Sequence, residues 1–371
     1  MDPTATTGPH APSSYRVVPI RSMAAWADMA KPWNDLLSQS RSNTIFLTWE
    51  WLYSWAECFL EQEALFILAV YRGDMLVGIA PWHIHPIRTW AGSVRQVGFL
   101  GASAASDYMD VFALPGQERE TALSLYRFIF RDESHVWDRL TLSGMASESL
   151  FLYHFMRRVA EAGKQAEIIY DGICPSVRLP ASWEAYLATL SSKRRQKFQN
   201  NTRRLEQAGE VVFRCASRQA AEAAFDDFLK IPNPQSSDGQ GRLERFIRTV
   251  LGRCRENGWV RIALLSVAGE NVVGLCQMQY NGVLSGYAIR TNRLYDKGIS
   301  IGNVALGRSI QQAIADGLSV VDFNRGGELY KFHWSNGGRA LLTLEIYRRR
   351  PAALVCFVGQ LLKSVGRVLL R

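Results

Sequence analysis

The chain repeats itself. Residues 66–80, FILAVYRGDMLVGIA, align with residues 262–276, IALLSVAGENVVGLC, at a constant offset of 196. Gly73 falls on Gly269, Asp74 on Glu270 and Gly78 on Gly274. Each copy is a run of β-formers, a Gly-acid turn and a second run, the pattern of a β-hairpin. The segments after the two hairpins agree in order. A strand is expected over 106–114, a helix over 118–130 and a strand over 138–144; the second copy offers 284–290, 302–317 and 319–326. Amphipathic helical sequence precedes each hairpin, at 25–40 and at 220–230 with 242–257. A chain built this way uses one α/β unit twice.

Length fits that reading, because 371 residues are enough for two domains. Apolar residues make up 47% and charged residues 21%, which excludes disorder, collagen and coiled coil as the main state. Six scattered cysteines with no CxxC spacing point to reduced thiols and the cytosol. Residues 1–14 read as a short disordered leader without a signal peptide, and no apolar run is long enough to span a membrane.

The net charge of +9 is local. Residues 193–204 carry six cations and residues 348–371 another six, with no acid in either, so the remainder is slightly acidic. The first patch lies in 182–207, where Ser182 can cap a helix and Phe198 and Leu205 share a face. It suits a phosphorylated ligand or a solvated face. The second lies on the tail 351–371, a basic amphipathic helix that can lie on an anionic membrane surface or pack on its own domain. Residues 232–242, rich in Pro, Gly and Ser, read as a loop.

Three segments could carry chemistry. Residues 287–302 run from a strand through a Gly-containing loop into a helix. That is an arrangement for cradling phosphate with backbone N–H groups, or an ordinary connection. Residues 322–334, DFNRGGELYKFHW, place Asp322, Arg325, Glu328, Tyr330, Lys331 and His333 after a strand end, where open α/β sheets bind ligands. Residues 48–55, TWEWLYSW, offer Trp51 and its neighbours to stack on a flat ligand or to pack a core. Asp107, Tyr108 and Asp110 close the first-half strand, where paired carboxylates suit an amine or hydroxyl. His83 and His85 face one side of a strand, but further ligands for a metal are not visible. The chain lacks HExxH, P-loop and GxGxxG motifs.

With those segments in view, the chain resembles the GNAT superfamily in its Fem-like double-domain branch. It is most similar to bacterial acetyltransferases grouped with cellulose and exopolysaccharide biosynthesis. The stretches that carry the likeness are FLTWEWLYSW, LAVYRGDMLVGIAPW, SDYMDVF, LSSKRRQKFQNNTRRLEQAG and DFNRGGELYKFHW. The resemblance implies an α/β (α+β) fold of two tandem GNAT-like acyl-CoA N-acyltransferase domains, each a mixed sheet flanked by helices. They would cover 15–181 and 182–350.

It implies acetyl-CoA or another acyl-CoA as co-substrate, without a metal, bound by the second domain through Lys297, Gly298, Ser300, Gly302 and Asn303. In that loop Tyr295 stands where the family has Arg or Gln, and Ser300 where it has Gly or Ala. Asp322 is the expected base, Tyr330 the acid and Lys331 the stabiliser of developing charge. Trp51, Asp107, Asp110, Arg195, Tyr287 and Arg325 are the expected substrate residues. The expected acceptor is a sugar or an envelope or exopolysaccharide precursor, N- or O-acylated. Aminoacyl transfer from tRNA and non-catalytic binding of an anionic lipid or polysaccharide are the alternatives. A cytoplasmic location is expected, with peripheral contact to the inner membrane through 351–371.

Overall fold

A computed structural model describes residues 14–60, 64–89, 92–102, 106–232, 240–292 and 298–348. Most of the leader, Lys297, the tail 351–371 and most of the 232–242 loop lie outside the described residues.

The first half begins with β1 (Tyr15–Ile20), α1 (Met23–Ala27), α2 (Ala30–Gln39), α3 (Trp49–Phe59), β2 (Ala64–Leu65), β3 (Ile67–Arg72) and β4 (Met75–Ala80). It continues through β5 (Trp82–Thr89), β6 (Gly92–Phe99), β7 (Phe112–Ala113), α4 (Glu118–Arg127), β8 (Arg139–Ala146), α5 (Leu150–Glu161) and β9 (Glu167–Arg178). The second half opens with α6 (Trp183–Thr189), α7 (Ser192–Glu206), β10 (Val211–Cys215), α8 (Ala221–Lys230) and α9 (Gln240–Arg253). It ends with β11 (Val260–Val267), β12 (Glu270–Tyr280), β13 (Val283–Thr291), α10 (Ile301–Ala315), β14 (Val320–Asp322), α11 (Leu329–Trp334) and β15 (Gly337–Tyr347).

Both repeated hairpins form, as β3–β4 and β11–β12. Their turn glycines, Gly73 and Gly269, have φ of 60° and 82°, a region that side chains resist. Ser182 caps α6 through a 3.1 Å bond from the Ala185 N–H. On α7 the buried face is Phe198, Asn201 and Leu205, so an amide fills the position between the two expected apolar residues. α3 is capped by Thr48 and buries Trp51, Leu52, Trp55 and Ala56. That stripe meets α9 of the second half, and one core joins the two halves.

The sheets do not separate by half. β1, β3, β4 and β7 make a four-stranded sheet. The other eleven strands form one sheet in the order β10-β11-β12-β13-β14-β9-β15-β8-β6-β5-β2. First-half β9 lies between β14 and β15, and β15 lies between β9 and first-half β8. Hydrogen bonding therefore crosses residue 181 in both directions. We retain 15–181 and 182–350 as a proposed division that matches the repeat.

The strand expected over 106–114 is mostly irregular, with only Phe112–Ala113 paired. Tyr108 has φ of 58° and the Asp110 carboxylate takes its neighbour's Val111 N–H. Local side-chain bonds and a left-handed residue thus turn the segment away from strand. The turn directs Tyr108 into the second half.

Candidate active site

β13 and β14 run parallel but pair at only three positions, ending at Ser285 opposite Asp322. Asp322 in turn faces Ser176 of β9. Their neighbours Leu284, Val321 and Val177 are buried in the second-half core on the other face. Strand alternation therefore turns Ser285, Asp322 and Ser176 to one side as a polar row. That row floors a cleft of about 610 Å³ between the halves. Asn43, Tyr108, Arg178 and Arg339 also line it. The size suits a small polar substrate.

Asp322 is only 4% exposed. Its Oδ2 accepts from the Tyr108 hydroxyl at 2.5 Å and its Oδ1 from the Asn324 N–H at 2.7 Å. Burial pushes its pKa up to about 6 against the pull of those two bonds, and nearby Asp107 adds to the rise. A carboxylate held there loses its proton near neutrality and can take one from a nucleophile. Tyr108 is held in turn by the Arg339 guanidinium, 4.4 Å above its ring. Arg339 is anchored by Glu148 at 2.6 Å. Burial, with the Asp322 charge, drives the Tyr108 pKa up, so the phenol stays a donor. The buried Cys174 thiol interacts with Tyr108 and Asp107, and burial pushes its pKa up as well.

Beyond Ser285 and Asp322 the two strands part. A second cavity of about 270 Å³ opens in the gap, lined by Gly286 and Tyr287 from β13 and by Asn324 and Arg325 after β14. Asp107, Tyr330 and Lys331 reach it as well. The Asn324 Oδ1 is buried there without a hydrogen-bond partner among the described residues. An acceptor left in that state suits a ligand that brings an amide N–H.

The expected catalytic trio is therefore divided. Asp322 serves the cleft, whereas Tyr330 and Lys331 line the gap cavity. Lys331, expected to stabilise developing charge, braces the loop after β14. Its ammonium meets the Arg325 carbonyl at 2.8 Å, the Asn324 carbonyl at 3.3 Å and the Glu328 carboxylate at 3.1 Å, which uses its three donors. Tyr330 keeps its proton, with its pKa pushed up to about 12 by burial and then by Glu328.

The expected substrate residues are also sorted. Trp51 has no exposed surface. It packs edge-on against Phe46, Phe246 and Tyr287, and its Nε1–H donates to Ser106 at 2.9 Å. It is a core residue, because an α-helical stripe facing a sheet buries such a ring. Asp107 binds the Arg325 backbone N–H at 2.8 Å and its guanidinium at 3.2 Å, and Asp171 takes the other side of Arg325 at 2.6 Å. Arg325 is thereby committed to shaping the loop rather than left for a phosphate. Tyr287 lines the gap cavity. Arg195 donates to the Leu187 carbonyl at 3.2 Å.

Asp110 does not pair with Asp107. It lines a separate cavity of about 480 Å³ with Glu118 and Glu148. It accepts from Ser42 and Ser149, each at 2.7 Å, and burial still pushes its pKa up to about 6. A carboxyl whose folded pKa lies above its unfolded value near 3.9 holds extra protons when folded. Its stabilising share is complete below pH 4 and disappears as pH rises through 6. Asp110→Asn should therefore be more stable than wild type at pH 8, by about 1–3 kcal/mol, with the gain shrinking toward pH 5. Urea unfolding at both pH values checks this; a gain that does not change with pH would refute it.

Gly298, Ser300, Gly302 and Asn303 sit together at the start of α10. Gly298 has φ of 75°, and its carbonyl accepts from Arg204 at 3.0 Å. Ser300 stands at the N-cap, and its hydroxyl accepts from the Asn303 amide at 2.7 Å. The first turn of α10 carries no acid, while the corresponding turn of α4 carries Glu118 and Glu120. An anion is therefore favoured at α10 and repelled at α4.

Residues 192–332 match the acetyltransferase (GNAT) domain family. That stretch holds α7, the β13–β14 gap, the α10 N-terminus and α11 as far as Phe332. The fold as a whole is mixed α/β, with sheets flanked by helices. FemX aligns over 92% of this chain and 99% of its own, with a TM-score of 0.58 and 9% identity. A conserved protein of unknown function from Bacteroides thetaiotaomicron VPI-5482 covers 89% of this chain and 100% of its own, at 0.55 and 13%. A DUF2156 domain from Agrobacterium fabrum covers 92% and 97%, at 0.52 and 10%. At such identities the likeness is one of fold alone. No curated protein matches the chain.

Sequence reasoning named Tyr108 only as part of a strand end and passed over Ser176, Ser285, Arg178, Asn324 and Arg339. The spacing DYMD around Tyr108 was the one local signal. The others come together only through strand pairing between distant segments. Among the described residues no helix is long and apolar enough to cross a membrane.

Proposed function

We propose that the protein transfers an acyl group from an acyl-CoA thioester to an amine or hydroxyl of a sugar-type acceptor, of the envelope or exopolysaccharide-precursor kind that the sequence resemblance implies. The observation that carries this is the place of Asp322. It ends the β13–β14 pairing, with a polar cleft on one face and the strand gap immediately beyond. The acceptor occupies the cleft, where Ser176, Ser285, Asn43 and Arg178 can hold hydroxyls. The donor occupies the gap, where Asn324 Oδ1 takes an amide N–H, and its pyrophosphate rests on the acid-free start of α10.

Asp322 removes the proton of the attacking amine or hydroxyl as the new bond to the acyl carbon forms and the C–S bond breaks. Tyr330, still protonated, stands on the donor side to return a proton to the sulfur. Tyr108, contributed by the first half, holds Asp322 in place and keeps its pKa from rising further.

Calorimetry with acetyl-CoA, longer acyl-CoAs and tRNA tests the reading. Micromolar binding of a CoA thioester is expected. Binding of tRNA alone, collapsing with salt, would replace it with aminoacyl transfer. Silence with both would leave a non-catalytic binder. Tyr108→Phe tests the positioning role. Losing its hydrogen bond lifts the Asp322 pKa, so the acid limb of kcat/KM should move above pH 6 while donor binding stays the same. A lower rate with an unmoved limb would reduce Tyr108 to packing.

A further inference from the structure

We infer that a cavity between α7, α10 and α11 is a second anion subsite, which takes the phosphomonoester at the nucleotide end of the donor. The inference rests on the acyl-CoA reading of the strand gap. The cavity holds about 370 Å³ and is lined by Lys193, Arg194 and Lys197 of α7, Asn303 of α10 and His333 and Trp334 of α11. No acid lines it. The side chains of Lys193, Arg194 and Lys197 make no hydrogen bond or ion pair among the described residues. Three like charges gathered without a counter-charge repel one another, and a bound dianion relieves that.

A second observation is independent of the cations. Asn201 also lines the cavity, is 7% exposed, and its Nδ2 has no acceptor among the described residues. A buried donor in that state costs stability unless a ligand oxygen completes it. Burial, and then the Arg194 and Lys197 charges, hold the His333 pKa down, which reports the same positive field.

The cavity adjoins the donor loop. Asn303 binds Ser300 at the α10 N-cap through its amide and accepts the Trp334 indole N–H at 3.2 Å through its carbonyl. Asn303 and Leu306, one turn apart, lead respectively to this cavity and to the strand gap. Phe198 and Trp334, edge-on at 5.5 Å, give the cavity apolar walls. The cations are focused rather than spread along α7, because Arg195 and Arg204 are tied to the Leu187 and Gly298 carbonyls. A single phosphate in a pocket fits this better than a polynucleotide track.

The test compares CoA with dephospho-CoA by calorimetry on the full chain, with tRNA as a third ligand. Wild type should bind CoA at least about tenfold more tightly than dephospho-CoA. Lys193→Gln with Lys197→Gln should remove that preference and leave dephospho-CoA binding unchanged. Asn201→Leu should reduce it with the unfolding temperature monitored, and the surface double variant keeps the test open if Asn201→Leu does not fold. Equal wild-type affinity for the two ligands overturns the subsite and leaves the acyl-CoA reading standing. No binding of either overturns both. Binding of tRNA that depends on Lys193 and Lys197, without a CoA preference, overturns the subsite in favour of a polynucleotide site.

Discussion

Asp322→Asn should lower kcat/KM by about 10²- to 10⁴-fold, the range expected when a general base is removed. Asn keeps an oxygen for the Asn324 N–H and remains a partner for the Tyr108 hydroxyl, so the local hydrogen bonding can survive. It cannot, however, hold a proton taken from the acceptor. Wild-type kcat/KM should fall as pH drops through about 6, because protonated Asp322 is no longer a base. The variant should show a low, flat acid side. Steady-state kinetics between pH 5 and 8, with thermal unfolding as control, decide it. A variant within a few-fold of wild type that still shows the limb would end the assignment.

Trp51→Ala should cost about 3–5 kcal/mol of stability, the usual penalty for emptying a large buried aromatic site. The ring has no exposed surface and joins α3 of the first half to Phe246 of α9 and Tyr287 of β13. Its loss opens a cavity at the junction and strands the Ser106 hydroxyl. Urea unfolding measures the effect. A Trp that stacked on substrate would instead raise KM and leave the unfolding midpoint in place.

Local periodicity explains how much could be read in the sequence. The two hairpins were legible because Gly73 and Gly269 mark turns between alternating β-formers, and those glycines do adopt the left-handed region. α6 was legible from its cap, α7 from apolar spacing, and α10 from the order of elements in the repeat. Residues 106–114 were not, because a run of β-formers looks the same whether or not Tyr108 takes a positive φ. Lys331 reads as a free cation in sequence, yet the turn at Gly326–Gly327 folds two carbonyls back onto it. The Asp322 cleft was hidden for a topological reason. Its floor combines β13, β14 and β9, and no periodicity reports that a strand ending at Arg178 pairs with one beginning at Val320. Asn201 could have been noticed as the polar member of an otherwise apolar α7 face.

The position of β15 bears on how the protein is made. Until Gly337–Tyr347 leaves the ribosome, β8 and β9 each present an unpaired edge, although both were synthesised long before. At ordinary elongation rates that interval is roughly 10–30 s. Exposed strand edges recruit other strands. The first half therefore cannot complete its folding cotranslationally as a separate unit, and a nascent chain that ends before Gly337 is a template for aggregation rather than a smaller working protein.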